Sequence, residues 1–137
     1  MSSQPVLLSD TAFIEQFENK TLDPAHFNHL GHLRLGWLYL NENKLDVAIE
    51  RICRGIKAYA ESLGASEKFH LTMTDAIMRI MARRIDAMAD KNWHLFLQQN
   101  PDIVEDFKSV LHNYYSKGVL SSTAARTSLI SPDIKSI

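Results

Sequence analysis

The chain has 137 residues, near the commonest size for one domain and too short for two ordinary domains joined by a linker. Apolar residues make up 45% and charged residues 23%, the balance of an ordinary globular protein rather than of a disordered or membrane-embedded one. Fifteen basic against sixteen acidic side chains leave a formal net charge of -1, which excludes a whole-molecule field that draws in nucleic acid or coats an anionic membrane.

In chain order, the spacing predicts a first helix from about Thr11 to Asn19, with Ser9 or Asp10 as cap and Phe13, Ile14 and Phe17 on one face. Asp23 before Pro24 reads as the start of a second helix that continues to about Asn41. The third has the cleanest period: Leu45, Ile49, Ile52, Ile56, Tyr59 and Leu63, with Asp46 as cap and Gly64 just past the end. Met73, Ile77, Met81, Ile85 and Met88 set out a fourth, with His70 at its start and Arg79, Arg83 and Arg84 directed elsewhere. Trp93, Phe96 and Leu97 predict a short fifth helix stopping near Pro101, and Ile103, Phe107, Val110, Leu111 and Tyr114 a sixth. Ser121, Ser122 and Thr123 are available as caps for a brief helix around Ala124 to Ser128 before Pro132. The expected fold is all-α, a compact bundle of about six helices in one domain over residues 1–137, with the second, third and fourth helices as its core.

One cysteine, Cys53, leaves no disulfide framework and no Cys-based zinc site, which fits a reducing compartment. The opening MSSQPVLLSD has neither the basic nor the apolar region of a secretory signal, and no apolar run approaches bilayer-spanning length. A cytoplasmic protein without a membrane partner is expected. The arginine faces of the third and fourth helices are interrupted by Glu50, Glu61, Asp86 and Asp90, so they read as solvated surface and nucleic acid is not an expected partner. No glycine-rich phosphate loop, nucleophile elbow or dinucleotide fingerprint is present.

The chemistry-bearing feature is a group of histidines. At ~100° per residue, His29 and His32 project within ~60° of each other on the second helix. Gly36, in the same sector, either leaves space beneath the imidazoles or lets another helix come close. If the second and fourth helices are neighbours, His70 can meet this pair. Three imidazoles are a ligand set for a divalent metal, Zn or Fe, with open positions for chemistry. Thr72 and Thr74 stand near enough in sequence to add hydroxyls. His26 points ~120° away from His32 and decorates the helix start. A histidine pair at the edge of an apolar stripe is equally compatible with a structural, hydrogen-bonded role, and the pair lacks the glutamate of the metalloprotease motif.

The stretches FNHLGHLRLGWLYL, FHLTMTDAI and NPDIVEDFKSVLHNYYSKGVLSSTAARTSLISPDI together resemble a widespread family of small uncharacterised all-helical bacterial proteins. Position by position, the resemblance picks out Phe27, His29, His32, Trp37, His70, Thr72, Thr74, Tyr115, Ser116, Arg126, Pro132 and Asp133, and leaves out His26, His94 and His112. Family members more often carry alanine where this chain has Gly36. The family implies no established activity. It favours a ligand site, because packing alone seldom calls for three imidazoles, two threonines and an arginine.

The resulting expectation is a small-molecule or metal pocket built by His29, His32 and His70, with Arg126 clamping a small anionic ligand and Thr74 or Tyr115 orienting it. Whether it is an enzyme is left open. Of the adjacent tyrosines, Tyr114 is expected to pack inward. The alternative is a non-catalytic adaptor or regulator, a homodimer in which the same histidines are structural.

Overall fold

A computed structural model describes residues 8–137. Among these the chain is all-helical, with nine α-helices, two short 3-10 turns and no strand. Helix α1 (Asp10–Glu18) is capped by Ser9, whose Oγ accepts from the Ala12 N–H at 3.1 Å, and its inward face carries Phe13 and Phe17.

The second helix starts later than expected. Asp23 does cap, taking the Ala25 N–H at 2.9 Å, but it caps only a 3-10 turn over Pro24–His26. The chain then breaks at Phe27, and α2 (His29–Glu42) has its own cap in Asn28, whose Oδ1 accepts from the Gly31 N–H at 2.9 Å. Two capping residues compete for one helix start, and the aromatic packing of Phe27 decides between them. Its ring lies 5.3 Å from that of Phe17 and 5.1 Å from that of Tyr59, a placement a continuous helix would turn away from the core.

Helix α3 (Leu45–Ser62) follows the middle of the predicted period, burying Ile52, Ile56 and Tyr59, while Leu45 at its start and Leu63 just past its end are exposed. Lys44 occupies the cap position, while Asp46 sits in the first turn with its carboxylate on the Val47 N–H. At the far end Gly64 adopts φ 69°, and the Gly64 and Ala65 N–H groups return to Glu61 O and Ala60 O at 3.0 and 2.8 Å, a Schellman closure. After a 3-10 turn over Ser66–Lys68 comes α4 (Leu71–Asp86), which packs along α3 and against α2. Gly36 serves that contact. A methyl group on it would stand 3.1 Å from Met81 Sδ and 3.2 Å from Met78 Sδ, so the missing side chain lets α4 approach and opens no space beneath the imidazoles.

Helices α5 (Trp93–Gln99), α6 (Pro101–Glu105) and α7 (Phe107–Leu111) follow. The expected sixth helix is thus cut in two at Asp106, whose carboxylate accepts from both the N–H and the hydroxyl of Ser109, holding its own backbone outside the helical region. Arg84 of α4 staples this region through Asp102 and Asn100 at 2.9 and 2.7 Å. Two short helices, α8 (Lys117–Leu120) and α9 (Thr123–Thr127), complete the chain, each capped by a serine. The buried apolar side chains of α1 to α8 form one cluster, and no helix among the described residues is long and apolar enough to cross a membrane.

Candidate functional site

His29 and His32 lie in the opening turn of α2, with one face in common. His29 is exposed, and its Nε2–H donates to the Ile103 carbonyl at 2.9 Å, joining α2 to α6. His32 is mostly buried, its ring 4.0 Å from that of Phe27. Burial, reinforced by the neighbouring His29, pushes its pKa down to about 4 from the ordinary 6.5. The unfolded chain therefore takes up a proton that the folded chain refuses. His32 stabilises the fold fully above pH 6.5, and that contribution is lost as pH falls from there towards 4. We expect about 3 kcal/mol of acid-side destabilisation to disappear in His32→Gln, read from urea unfolding of both proteins at pH 7 and pH 4.

The second half of the expected pocket has another occupation. His70 is the cap of α4: its Nδ1 accepts from the Met73 N–H at 3.1 Å while its Nε2–H donates to Leu120 O at 2.9 Å. Both ring nitrogens are committed, which fixes the tautomer and leaves no lone pair for a metal without losing the cap. Thr74 bonds back to His70 O at 2.8 Å within the same helix. Thr72, fully buried, donates to Ser128 O at 2.8 Å and accepts from the Ile130 N–H at 3.1 Å.

Tyr115, not Tyr114, is the inward ring. It is 1% exposed and gives its hydroxyl proton to Ile130 O at 2.7 Å, whereas Tyr114 is half-buried with the Lys135 ammonium over its face. The sequence phase fails here because Tyr114 and Tyr115 lie in a turn after α7 rather than on a continuing helix. Ser116 N–H reaches Asp133 Oδ1 at 2.8 Å, and the Ile134 N–H reaches Tyr114 O at 2.9 Å. His70, Thr72, Tyr115, Ser116 and Asp133 thus form a clasp that holds the last twenty residues by polar contacts. The FHLTMT and YYS segments behind the family resemblance have a structural use in this chain.

Arg126, at the end of α9, lines a separate cavity of about 330 Å³ with Lys57, Glu61, Glu67 and Phe69, and neither His29 nor His32 contributes to it. No group of three or more His, Cys, Asp or Glu side chains among the described residues is placed to hold a metal ion. The expected convergence of His29, His32 and His70 on one ion, with Arg126 beside it, is not how the chain folds. His29 and His70 are drawn to different carbonyls, Ile103 and Leu120, by segments far away in sequence. Cys53 is half-buried on α3, and burial, with Asp75 nearby, pushes its thiol up to about 11, out of the range of a reactive thiolate at neutral pH.

A roomier cavity lies elsewhere, about 570 Å³ between the Pro24–His26 turn, the start of α2 and α5. Its apolar lining is Phe13, Leu30, Trp93 and Leu97, and its polar lining includes Asp10, Arg34, His26 and His94. Trp93 is braced by rings behind it, stacked on Phe96 at 6.0 Å and tilted against Trp37 at 5.8 Å. Arg34 is fixed by Asp10 Oδ1 at 2.8 Å and Leu8 O at 2.6 Å, with its guanidinium 4.7 Å over the Phe13 ring. Leu30 is 46% exposed at the mouth, in the first turn of α2.

Most of these residues come together from elements whose mutual placement no local pattern encodes. For His26, expected on the surface of a continuous second helix, the cause is the separate 3-10 turn before α2. The available signal was the second cap, Asn28, followed by Gly31 three residues on. Compared with family models, curated proteins and solved structures, this chain finds no match.

Proposed function

We propose that this protein binds a small organic molecule in the cleft between the Pro24–His26 turn, α2 and α5. Two histidines, His26 and His94, line this cleft, and neither belongs to the His29, His32 and His70 group expected from the sequence. The observation that carries the reading is Leu30: a leucine left nearly half in solvent, in a cavity of about 570 Å³ walled by Trp93, Leu97 and Phe13. That volume lies within the roughly 300–1,000 Å³ usual for small-molecule sites, which commonly combine aromatic and aliphatic walls with placed polar groups. Covering Leu30 and the open face of Trp93 supplies the driving force, and Arg34, already immobilised by Asp10 and Leu8, adds no ordering cost.

Titration of the 15N-labelled chain with indole, a neutral apolar probe, tests this. Saturable shifts should appear at the Leu30, Gly31 and Leu97 amides and the Trp93 indole N–H. They should vanish in Leu30→Arg, which fills the mouth with a charged side chain at an exposed position and leaves the melting temperature unchanged. Shifts scattered over the surface, or none in the cleft, would overturn the reading.

A further inference from the structure

We infer that His32 is an acid-sensitive latch on the cleft: a proton taken up there frees Phe27, and with it the Pro24–His26 turn that forms one wall of the site. The inference rests on the binding reading above and gives that site a means of release. The hydrogen bonds of the turn are local, from Ala25 N–H to Asp23 Oδ1, from His26 N–H to Asp23 O and from Phe27 N–H to Pro24 O, each at 2.9 Å. Its anchor in the body of the protein is the Phe27 ring, set against Phe17 of α1 at 5.3 Å, Tyr59 of α3 at 5.1 Å and His32 of α2 at 4.0 Å. Upstream the chain is tied at Leu22, whose carbonyl takes the Tyr59 hydroxyl at 2.7 Å, so the segment that can lift is short. Ala25, His26 and Asn28 line the cleft, and lifting the turn takes that wall away.

His32 is poorly equipped to carry a charge in place. From the turn it faces the Phe27 ring, and on its own helix the titratable neighbour is His29, whose protonated form would repel it. Helices α6 and α7 reach this part of α2 through Ile103 O and Phe107, and both meet His29. Behind Phe27, the Tyr59 hydroxyl is given to Leu22 O, and Asp23 turns Oδ1 to the Ala25 N–H. Neither a carboxylate nor a hydrogen-bond acceptor is among the groups that set the proton affinity of His32. An imidazole so placed stays neutral while the turn is shut and regains its ordinary affinity for protons once it meets water. With a pKa of about 4 when shut against 6.5 in water, the latch holds fully only above pH 6.5 and weakens as pH falls towards 4.

Native-state hydrogen exchange on the full chain at pH 7 and pH 5 tests the latch without any ligand. Protection of the His26 and Phe27 amides should fall about twentyfold between the two, and a low concentration of urea should leave that fall unchanged, because a local opening exposes little new surface. His32→Gln should flatten the profile. Should glutamine loosen the turn at every pH, His32→Phe, which keeps a ring against Phe27, should be flat as well. Indole should bind the parent several-fold more weakly at pH 5 than at pH 7 and bind the variants alike at both. His26 and His94 are present in all three proteins, so the difference belongs to His32. Equal protection at both pH values in the parent, the result if the Phe27 face retains the cation, would overturn the latch. A fall in protection with indole affinity unchanged would overturn its control of the site. No indole shift in the cleft at pH 7 would overturn the binding reading, while the exchange profile would still decide whether His32 holds the turn.

Discussion

Replacing Gly31 with alanine is expected to cost about 3 kcal/mol of stability, the largest single effect we predict outside the apolar core. The added methyl would lie 2.1 Å from the carbonyl oxygen of His26 and 3.1 Å from its carbonyl carbon, a collision with backbone rather than with the end of a flexible side chain. Relief requires the whole Pro24–His26 turn to move. That turn is anchored on one side by the Asp23 cap and on the other by Phe27, whose ring is held among Phe17, Tyr59 and His32. The comparison is Gly36→Ala, where the new methyl meets the thioethers of Met78 and Met81, which can rotate away. Alanine also favours helix over glycine by roughly 0.5–1 kcal/mol, so Gly36→Ala should fall within about 1 kcal/mol of the parent. Equilibrium urea unfolding of both variants checks the pair. Equal losses would mean that the close approach of the turn to α2 is not what Gly31 provides. Because His26 and Gly31 both line the cleft, Gly31→Ala should also weaken indole binding in whatever fraction remains folded.

Thr72→Val should cost about 2 kcal/mol and loosen the C-terminal segment. Valine keeps the shape and the β-branch, so little packing is lost, while one hydroxyl that serves two backbone groups disappears. Ser128 O and the Ile130 N–H would lose the one α4 group that holds them both and turn to water instead. That segment has little apolar burial to resist the lift: Ala125 is buried, while Leu129 and Ile134 are 54% and 56% exposed. Hydrogen exchange should therefore quicken at Ile130 and Ile134 and leave α3 unaltered. Thr74→Val, which loses only a bond to His70 O inside its own helix, is the control and should change stability by less than about 0.5 kcal/mol. If the two valine variants behave alike, the clasp contributes nothing to holding the segment.

The clasp also shows why the histidines looked like a site. His29, His32 and His70 carry the polar atoms expected of a ligand set, and His29 and His32 do share one face of α2. A sequence displays such atoms but not their partners. The partner of His29 is a carbonyl 74 residues away, and that of His70 a carbonyl 50 residues away. Each imidazole joins helices that are distant in sequence, a structural use that satisfies the same chemistry. His26 and His94 have the opposite history. Neither matches a pattern in the sequence, and they face one cavity only because the turn after Asp23 and the start of α5 are folded onto the same end of α2.

What the sequence by itself determined is what short-range physics controls. The all-helical class, the end of α3 at Gly64, its central period through Ile52, Ile56 and Tyr59, and the Phe13 and Phe17 face of α1 follow from side chains within a turn or two of one another. Local signals also left ties. Asp23 and Asn28 both suit a helix start, and Asp106 can either continue a helix or cap a new one. Only the tertiary structure decided these, through the burial of Phe27 against Phe17 and Tyr59 and the closure of Asp106 on Ser109. The location of the cleft was settled the same way. It is a gap between elements, and which side chains line a gap depends on contacts between segments that no local period encodes.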